Sequence, residues 1–297
     1  MQTKKEIYNL LAEAGIRLNK KFGQNFLIDG NLMRLLVETA GLTSEDVVLE
    51  VGCGTGSLTE ELALRAGFAA AVEIDGNLAE IARNRLKGID NVEIINTDVL
   101  SDKHTINKEV IDAIQDARKS YGGRFLLVSN LPFSAATPLM LNLICGPVVA
   151  DAMYVTVQKE VAERMTAQPG GREYGILSVI LDCFGEANLE RILPASVFWP
   201  VPKVESAIVS FERNEDKTKR IENTEMLVDV VSMFMQHRRK MVKGTIKYAK
   251  GDLSGISNWQ ELFEQSGIDS QQRPQMIKSE NFLILANLCQ HQLNPEF

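Results

Sequence analysis

The stretch VVLEVGCGTGSLTEELALRA, residues 47–66, carries the reading of the fold. Val47 to Val51 is a short apolar run of strand length, and it runs straight into Gly52, Gly54 and Gly56. From Ser57 the pattern becomes helical, with a hydroxyl at the start and acids in the first turn, where they meet the positive end of the helix dipole. Strand, glycine turn and helix in that order open a βαβ unit.

Working outward, the alternation repeats. Strands are predicted over 69–75 (AAAVEID), 92–99 (VEIINTDV), 124–130 (RFLLVSN), 152–158 (AMYVTVQ) and 206–211 (SAIVSF). Helices are predicted over 31–40, where Gly41 supplies a stop, and over 77–86 and 106–119. This is an α/β chain with a doubly wound, mostly parallel, Rossmann-like sheet, whose ligand crevice lies at the carboxyl ends of the strands. Glu212 to Glu225 is charged and almost without large apolar residues, the composition of a linker. Beyond it only helical patterns remain, over 226–236, 258–267 and 279–290. The expected organisation is a catalytic domain over 1–212, a linker over 213–225 and a smaller all-helical domain over 226–297.

At 297 residues and 45% hydrophobic, the chain can bury one large core and a smaller second unit. Its net charge of −7 argues against a protein that coats nucleic acid by charge alone, so an RNA site has to be a local basic patch. Cys53, Cys145, Cys183 and Cys289 lie far apart, with neither paired nor zinc spacing, and read as buried thiols of a reducing compartment. No metal is expected. The N-terminus has charges and no apolar signal core, which predicts a cytoplasmic protein. Phe125 to Ala150 lacks charge over a length that could span a bilayer, but Pro132, Pro138 and Pro147 favour a strand, a turn and a core helix.

Three strand ends carry the chemistry. The glycines of EVGCGTG let the backbone approach a ligand closely, and Ser57 stands where a dinucleotide fingerprint would need glycine. Glu73, with its acceptor-only oxygens, suits the hydroxyls of a ribose, and Asp98 suits an adenine amine. Together they favour a nucleoside site over a set of solvated strand-end carboxylates. Asn130-Leu131-Pro132-Phe133 follows the fourth predicted strand. An adenine amine is a poor nucleophile because its lone pair is delocalised into the ring. An asparagine carbonyl and a backbone carbonyl accepting its two N–H bonds would push the nitrogen toward tetrahedral shape, while Pro132 stiffens the loop and Phe133 offers a face to a flipped base.

The ordered motifs FGQNFLID (22–29), EVGCGTGSLT (50–59), VEID (72–75), NTDVL (96–100), NLPF (130–133), QKEVAERM (158–165), YGILSV (174–179), FWPVPKVESAIV (198–209) and FMQHRRKM (234–241) resemble the KsgA family. These are small-subunit rRNA adenine N6,N6-dimethyltransferases, related to the erythromycin-resistance rRNA methylases. The resemblance runs from about Lys21 to the C-terminus. It implies S-adenosylmethionine as the donor, with Gln24, Asn25 and Leu27 closing over its methionine end and Gly52 and Gly54 lying against it. Glu73 would hold its ribose, Asp98 its adenine, and Asn130 the reacting amine. It further implies two adjacent adenosines near the 3′ end of small-subunit rRNA as the target, within a pre-ribosomal particle and for a monomeric enzyme. Cys53 stands where the family often has proline. Phe133 stands where it often has tyrosine, phenylalanine being the form of the resistance methylases.

Arg238, Arg239, Lys240, Lys243, Lys247 and Lys250 form a run without an acid among them. On so acidic a chain this predicts a phosphate-contacting patch, aided by Lys4, Lys5, Lys20 and Lys21, in place of a merely solvated helix face. Trp199 and the prolines around it are expected to shape a rigid loop, and His104, His237 and His291 have no assigned role. Two alternatives stand beside the small-subunit dimethylase: a large-subunit rRNA adenine methylase, and a non-catalytic assembly factor on the same fold.

Overall fold

The computed structural model describes residues 2–16 and 24–294. Lys20, Lys21 and the first two residues of FGQNFLID lie outside them. The chain parts into two compact units, Met1–Ala162 with Asn188–Glu212, and Glu163–Ala187 with Arg213–Phe297.

The first unit is built on seven strands: β1 (Val47–Val51), β2 (Phe68–Val72), β3 (Val92–Ile95), β4 (Phe125–Asn130), β5 (Ala152–Gln158), β6 (Gly185–Leu193) and β7 (Ser206–Arg213). Their order is β3-β2-β1-β4-β5-β7-β6. β1 pairs in parallel with β2 and β4, β2 with β3, and β4 with β5, whereas β7 runs antiparallel to β5. Strand order reverses between β1 and β4, which opens a crevice at their carboxyl ends. The central strands are buried on both faces, which is why VVLEV and FLLVS read as apolar runs without alternation.

Helices α1 (Lys4–Glu13), α2 (Gly30–Ala40), α3 (Ser57–Ala63), α4 (Gly76–Arg85), α5 (Lys108–Ser120) and α6 (Ala136–Cys145) belong to the same unit. α2 starts on Asp29, whose carboxylate accepts from the N–H groups of Asn31 and Leu32, and it stops on Gly41 at φ 54°. Its Leu36 and Val37 pack into one core with Val48, Leu126, Val128 and Ile208. The uncharged stretch from Phe125 resolves into β4, a turn and α6, and among the described residues no helix is long and apolar enough to cross a membrane.

Sequence patterns did not reveal α1, although Thr3 and Glu6 form a capping box at its start. They also missed β6, a largely exposed, polar strand at the end of the sheet where one burying face is absent. The second and third strands stop at Val72 and Ile95, so Glu73 and Asp98 lie just beyond strand ends. Trp199 is part of a two-residue strand with Phe198, paired with Phe26–Leu27. Cys53, Cys183 and Cys289 are buried as expected, but Cys145, at the end of α6, is only half-buried.

α7 (Lys159–Met165) leads into the second unit, which holds α8 (Ile176–Phe184), α9 (Glu215–Thr218), α10 (Thr224–Met235), α11 (Trp259–Gln265) and α12 (Ser279–Leu293). It extends beyond 226–297, because the segment 163–187 packs through α8 against α10 and α12. The charged stretch after Glu212 is partly ordered too: Asn214 caps α9, and Lys217 donates to the carbonyls of Asp182 and Gly185. Phe234 sits at the centre, its ring 6.0–6.1 Å from those of Trp259, Phe263 and Phe282.

Asp46 fastens the amino ends of β1 and β4. Its carboxylate, 2% exposed, accepts from the N–H groups of Thr43 and Arg124 and from the Arg124 guanidinium at 2.8 Å. Burial pushes its pKa up, but these donors outweigh that and hold it below the usual carboxylate value. Asp46→Ala leaves the donors unpaired and should lower urea-unfolding stability by about 2–4 kcal/mol at neutral pH. A loss under about 0.5 kcal/mol would show that water replaces the carboxylate.

Candidate active site

The site is assembled at the carboxyl ends of β1, β2 and β4. After Val51 the backbone turns through Gly52 (φ 79°) and Gly54 (φ 58°), conformations that side-chain-bearing residues rarely adopt. A Cβ on Gly52 would come within 2.9 Å of the Pro132 ring, and one on Gly54 within 2.7 Å of the Phe26 ring. The turn is therefore walled by the NLPF loop on one side and by the segment after Gln24 on the other. Phe26 in turn stacks on Trp199 at 6.3 Å, and Tyr8 of α1 meets the same indole edge-on at 6.2 Å.

Glu73 is 4% exposed. One carboxylate oxygen accepts the N–H of Gly54 at 2.8 Å and the other that of Asp75 at 2.9 Å. Burial raises its pKa, and those two N–H groups oppose the rise. Each oxygen retains one lone pair for a ligand hydroxyl. Asp75 starts α4 by accepting from the N–H of Asn77, and its other oxygen accepts from the side-chain amide of Gln24 at 3.1 Å. Gln24 is thereby brought to the second strand end. Asp98 differs: it is exposed, and its carboxylate accepts from the N–H of Leu100 in a local turn. The amide of Asn96 binds the Glu73 carbonyl at 2.7 Å instead.

Asn130 ends β4 half-buried, and its Nδ2 donates to the carbonyl of Asn25 at 2.9 Å. That bond fixes the amide, so Oδ1 is the face left to accept. Leu131 is buried and donates its N–H to the Thr156 carbonyl, while the Pro132 carbonyl accepts from Ala135 and Ala136 and closes the loop. Phe133 is half-buried beside it. The Leu27 side chain is buried in the core with Phe198, its strand partner, so this residue anchors the segment that presents Gln24 and Asn25.

Two contributions escaped the sequence reading. Gln2, preceding α1, reaches the glycine turn: its N–H donates to Ser57 Oγ at 2.9 Å and its carbonyl Oε1 accepts from Thr55 Oγ1 at 2.5 Å. Glu50, in β1, is buried, and accepts from Thr59 Oγ1 at 2.6 Å. Burial above all, with the Glu73 charge adding to it, pushes its pKa to about 8. A polar residue inside an apolar strand, next to the glycine turn, was the available signal for it.

The ribosomal RNA adenine dimethylase family model matches residues 15–290. The chain belongs to that family. Ribosomal RNA small subunit methyltransferase A of Pediococcus pentosaceus is 37% identical over 282 residues, covering 95% of this chain and 93% of the relative. The protein of the same name from Geobacillus thermodenitrificans is 32% identical, with 94% and 93% covered. Among solved structures, a dimethyladenosine transferase from Plasmodium falciparum superimposes with a TM-score of 0.70 at 22% identity, covering 86% of this chain and 94% of that one. The 23S rRNA methyltransferase ErmE gives 0.61 at 23% identity, with 88% and 98% covered. These two show the shared fold. As a ribosomal RNA adenine dimethylase, the chain is a methyltransferase whose donor is S-adenosylmethionine. The crevice fits such a group: it sets an acceptor-only carboxylate and a close-approaching glycine backbone at adjacent strand ends.

In the second unit the basic run divides. The Arg238 guanidinium donates to the carbonyls of Arg172 and Tyr174 at 3.0 and 2.9 Å, and so ties the 163–187 segment to the end of α10. Arg239, Lys240, Lys243 and Lys247 are exposed.

Glu50 also sets a pH dependence. Its folded-state pKa is raised, so folding takes up a proton between the ordinary carboxylate value near 4.5 and about 8, and stability falls as pH rises through that window. Glu50→Gln keeps an acceptor for Thr59 and cannot ionise. Its stability advantage over the parent should grow by about 1.4 kcal/mol per pH unit within the window and level off above it. Urea unfolding at pH 6, 7, 8 and 9 measures this, and a pH-independent difference would mean that Glu50 is ionised in the native protein.

Proposed function

We propose that this dimethylase methylates N6 of two adjacent adenosines near the 3′ end of small-subunit rRNA, in an assembling ribosomal particle, with Asn130 positioning the reacting amine. The observation that carries the reading is the fixed orientation of the Asn130 amide. With Nδ2 held by the Asn25 carbonyl, Oδ1 is presented as an acceptor at the end of β4, three residues before Phe133.

When bound, S-adenosylmethionine supplies a sulfonium-activated methyl group. Glu73 and the backbone at Gly52 and Gly54 bind the donor, with Gln24 and Asn25 bordering its methionine end. The place of Asp98 at the donor's adenine is part of the same reading, the carboxylate being exposed and available. Asn130 Oδ1 accepts an N–H of the adenine amine and favours the tetrahedral nitrogen whose lone pair can attack, while Phe133 stacks the extruded base. No strong base is required, because the alkylated amine is acidic and loses its proton to solvent. Catalysis rests on positioning. Small-subunit specificity is supported by the names of the relatives matching over nearly the whole chain, and the exposed cations Arg239, Lys240, Lys243 and Lys247 are assigned to phosphate contact.

Single-turnover methylation of unmethylated small subunits at saturating donor tests the assignment. An acceptor that tightens on the amine as it becomes tetrahedral acts on rate more than on binding. Asn130→Ala should slow methylation roughly a hundredfold or more with RNA affinity nearly unchanged. Phe133→Ala should also weaken RNA binding, by about 1–3 kcal/mol, and Phe133→Tyr should be nearly silent. Parental rates for Asn130→Ala would move the active centre elsewhere. Methyl groups recovered only on large-subunit rRNA would replace the proposed target.

Glu73→Ala should abolish measurable donor binding in calorimetry without RNA. Unchanged affinity would remove this carboxylate from the donor site.

A further inference from the structure

His237 and Tyr248 are half-buried in the second unit, with ring centroids 3.6 Å apart and planes inclined by 24°. Lys240 Nζ lies 2.8 Å from the Tyr248 hydroxyl and 5.1 Å from its ring centroid, and Lys247 Nζ lies 5.2 Å from that centroid. The segment that carries the ring is held by backbone hydrogen bonds. Tyr248 donates its N–H to Thr245, Thr245 donates to Val242, and Val242 donates to Gln272, with Val242 and Thr245 fully buried. The pair is thus pre-formed on a fixed support.

Among the described residues, no carboxylate pairs with Arg239, Lys240, Lys243, Lys247 or Lys250. That leaves a concentration of uncompensated positive charge on a chain of net charge −7. Lysines gathered around a tyrosine, without an acid to draw them away, make the phenol itself more acidic, chiefly through the Lys240 hydrogen bond. Cations alone would suit any polyanion. Cations set around a stacked aromatic pair suit unpaired nucleotides, whose phosphates meet the ammonium groups and whose bases have a π face for the ring.

We infer that His237 and Tyr248 form a base-stacking platform for an unpaired rRNA nucleotide, with Lys240 and Lys247 contacting the adjoining phosphates. The inference rests on the rRNA-methylating reading above and adds recognition residues to it. Tyr248 is the residue that meets the base. His237 is a positioning residue, because it packs beneath the tyrosine.

The test is equilibrium binding of the full-length protein, over a series of salt concentrations, to unmethylated small subunits and to a protein-free transcript of small-subunit rRNA. Tyr248→Leu should weaken both interactions roughly tenfold or more with an unchanged salt slope, and Tyr248→Phe should stay within about twofold of the parent. Lys247→Gln should lower the salt slope by about one. Donor affinity and thermal stability are recorded for each variant. Should Tyr248→Leu not fold, Tyr248→Ser and Tyr248→Trp take its place, with loss expected for the first and retention for the second.

Parental RNA affinity in the variants that lack the ring would overturn the platform. A loss confined to whole subunits would also overturn it, by assigning the surface to a ribosomal protein. Methyl incorporation is followed separately. If the parent methylates and Tyr248→Leu binds like the parent, the platform fails and the enzymatic reading stands. If the ring-dependent RNA affinity is found in a protein that does not methylate, the platform stands and the enzymatic reading fails.

Discussion

One buried carboxylate, that of Glu73, organises the glycine turn at the carboxyl end of β1. Glu73 takes the N–H of Gly54 on one oxygen and that of Asp75 on the other, which ties the turn after β1 to the start of α4. The glycine turn has backbone angles that side chains resist, and it needs a fixed acceptor to hold it. Glu73 supplies that acceptor at the cost of desolvation, which its raised pKa records. With the turn fixed, Pro132 and Phe26 can close against it, and each brings its own segment with it. Pro132 belongs to the loop that carries Asn130, and Phe26 belongs to the segment that carries Gln24 and Asn25. The loop of Asn130 and the segment of Gln24 and Asn25 are therefore coupled through packing on a single bend of backbone.

The same economy of polar groups recurs around it. Gln2 caps the turn from beyond α1, and Glu50 lies beneath it, held neutral by burial with Thr59 as its donor. The Glu73 charge adds to the cost of ionising Glu50 in that dry interior. The N-terminal helix joins this arrangement through Ile7 and Leu11, which pack against Leu78 of α4.

The strands nearest the site were legible because their environment is uniform. VVLEV and AMYVTVQ are buried on both faces, so their boundaries follow from apolar runs alone. β6 was illegible for the opposite reason: GEANLERIL is mostly exposed and shows neither an apolar run nor alternation. α8 went unread because ILSVILDCF is a short, almost wholly apolar run, and such a run could equally be a buried strand. Its place with α10 and α12 also explains why a boundary drawn from the charged stretch at 213–225 leaves out the segment 163–187.

What the sequence by itself determined was the order of elements, the glycine turn and the residues at the strand ends, because backbone conformation and strand burial are dictated locally. Only the tertiary structure decided how those residues are used. It turned the Asn130 amide by pairing it with Asn25 and sank Leu27 into the core. It left Asp98 in solvent, and it bent Arg238 inward onto two carbonyls while its neighbours stayed exposed. Each of these depends on partners distant in sequence, and a polar side chain's role is set by which hydrogen-bonding groups the fold leaves unsatisfied beside it.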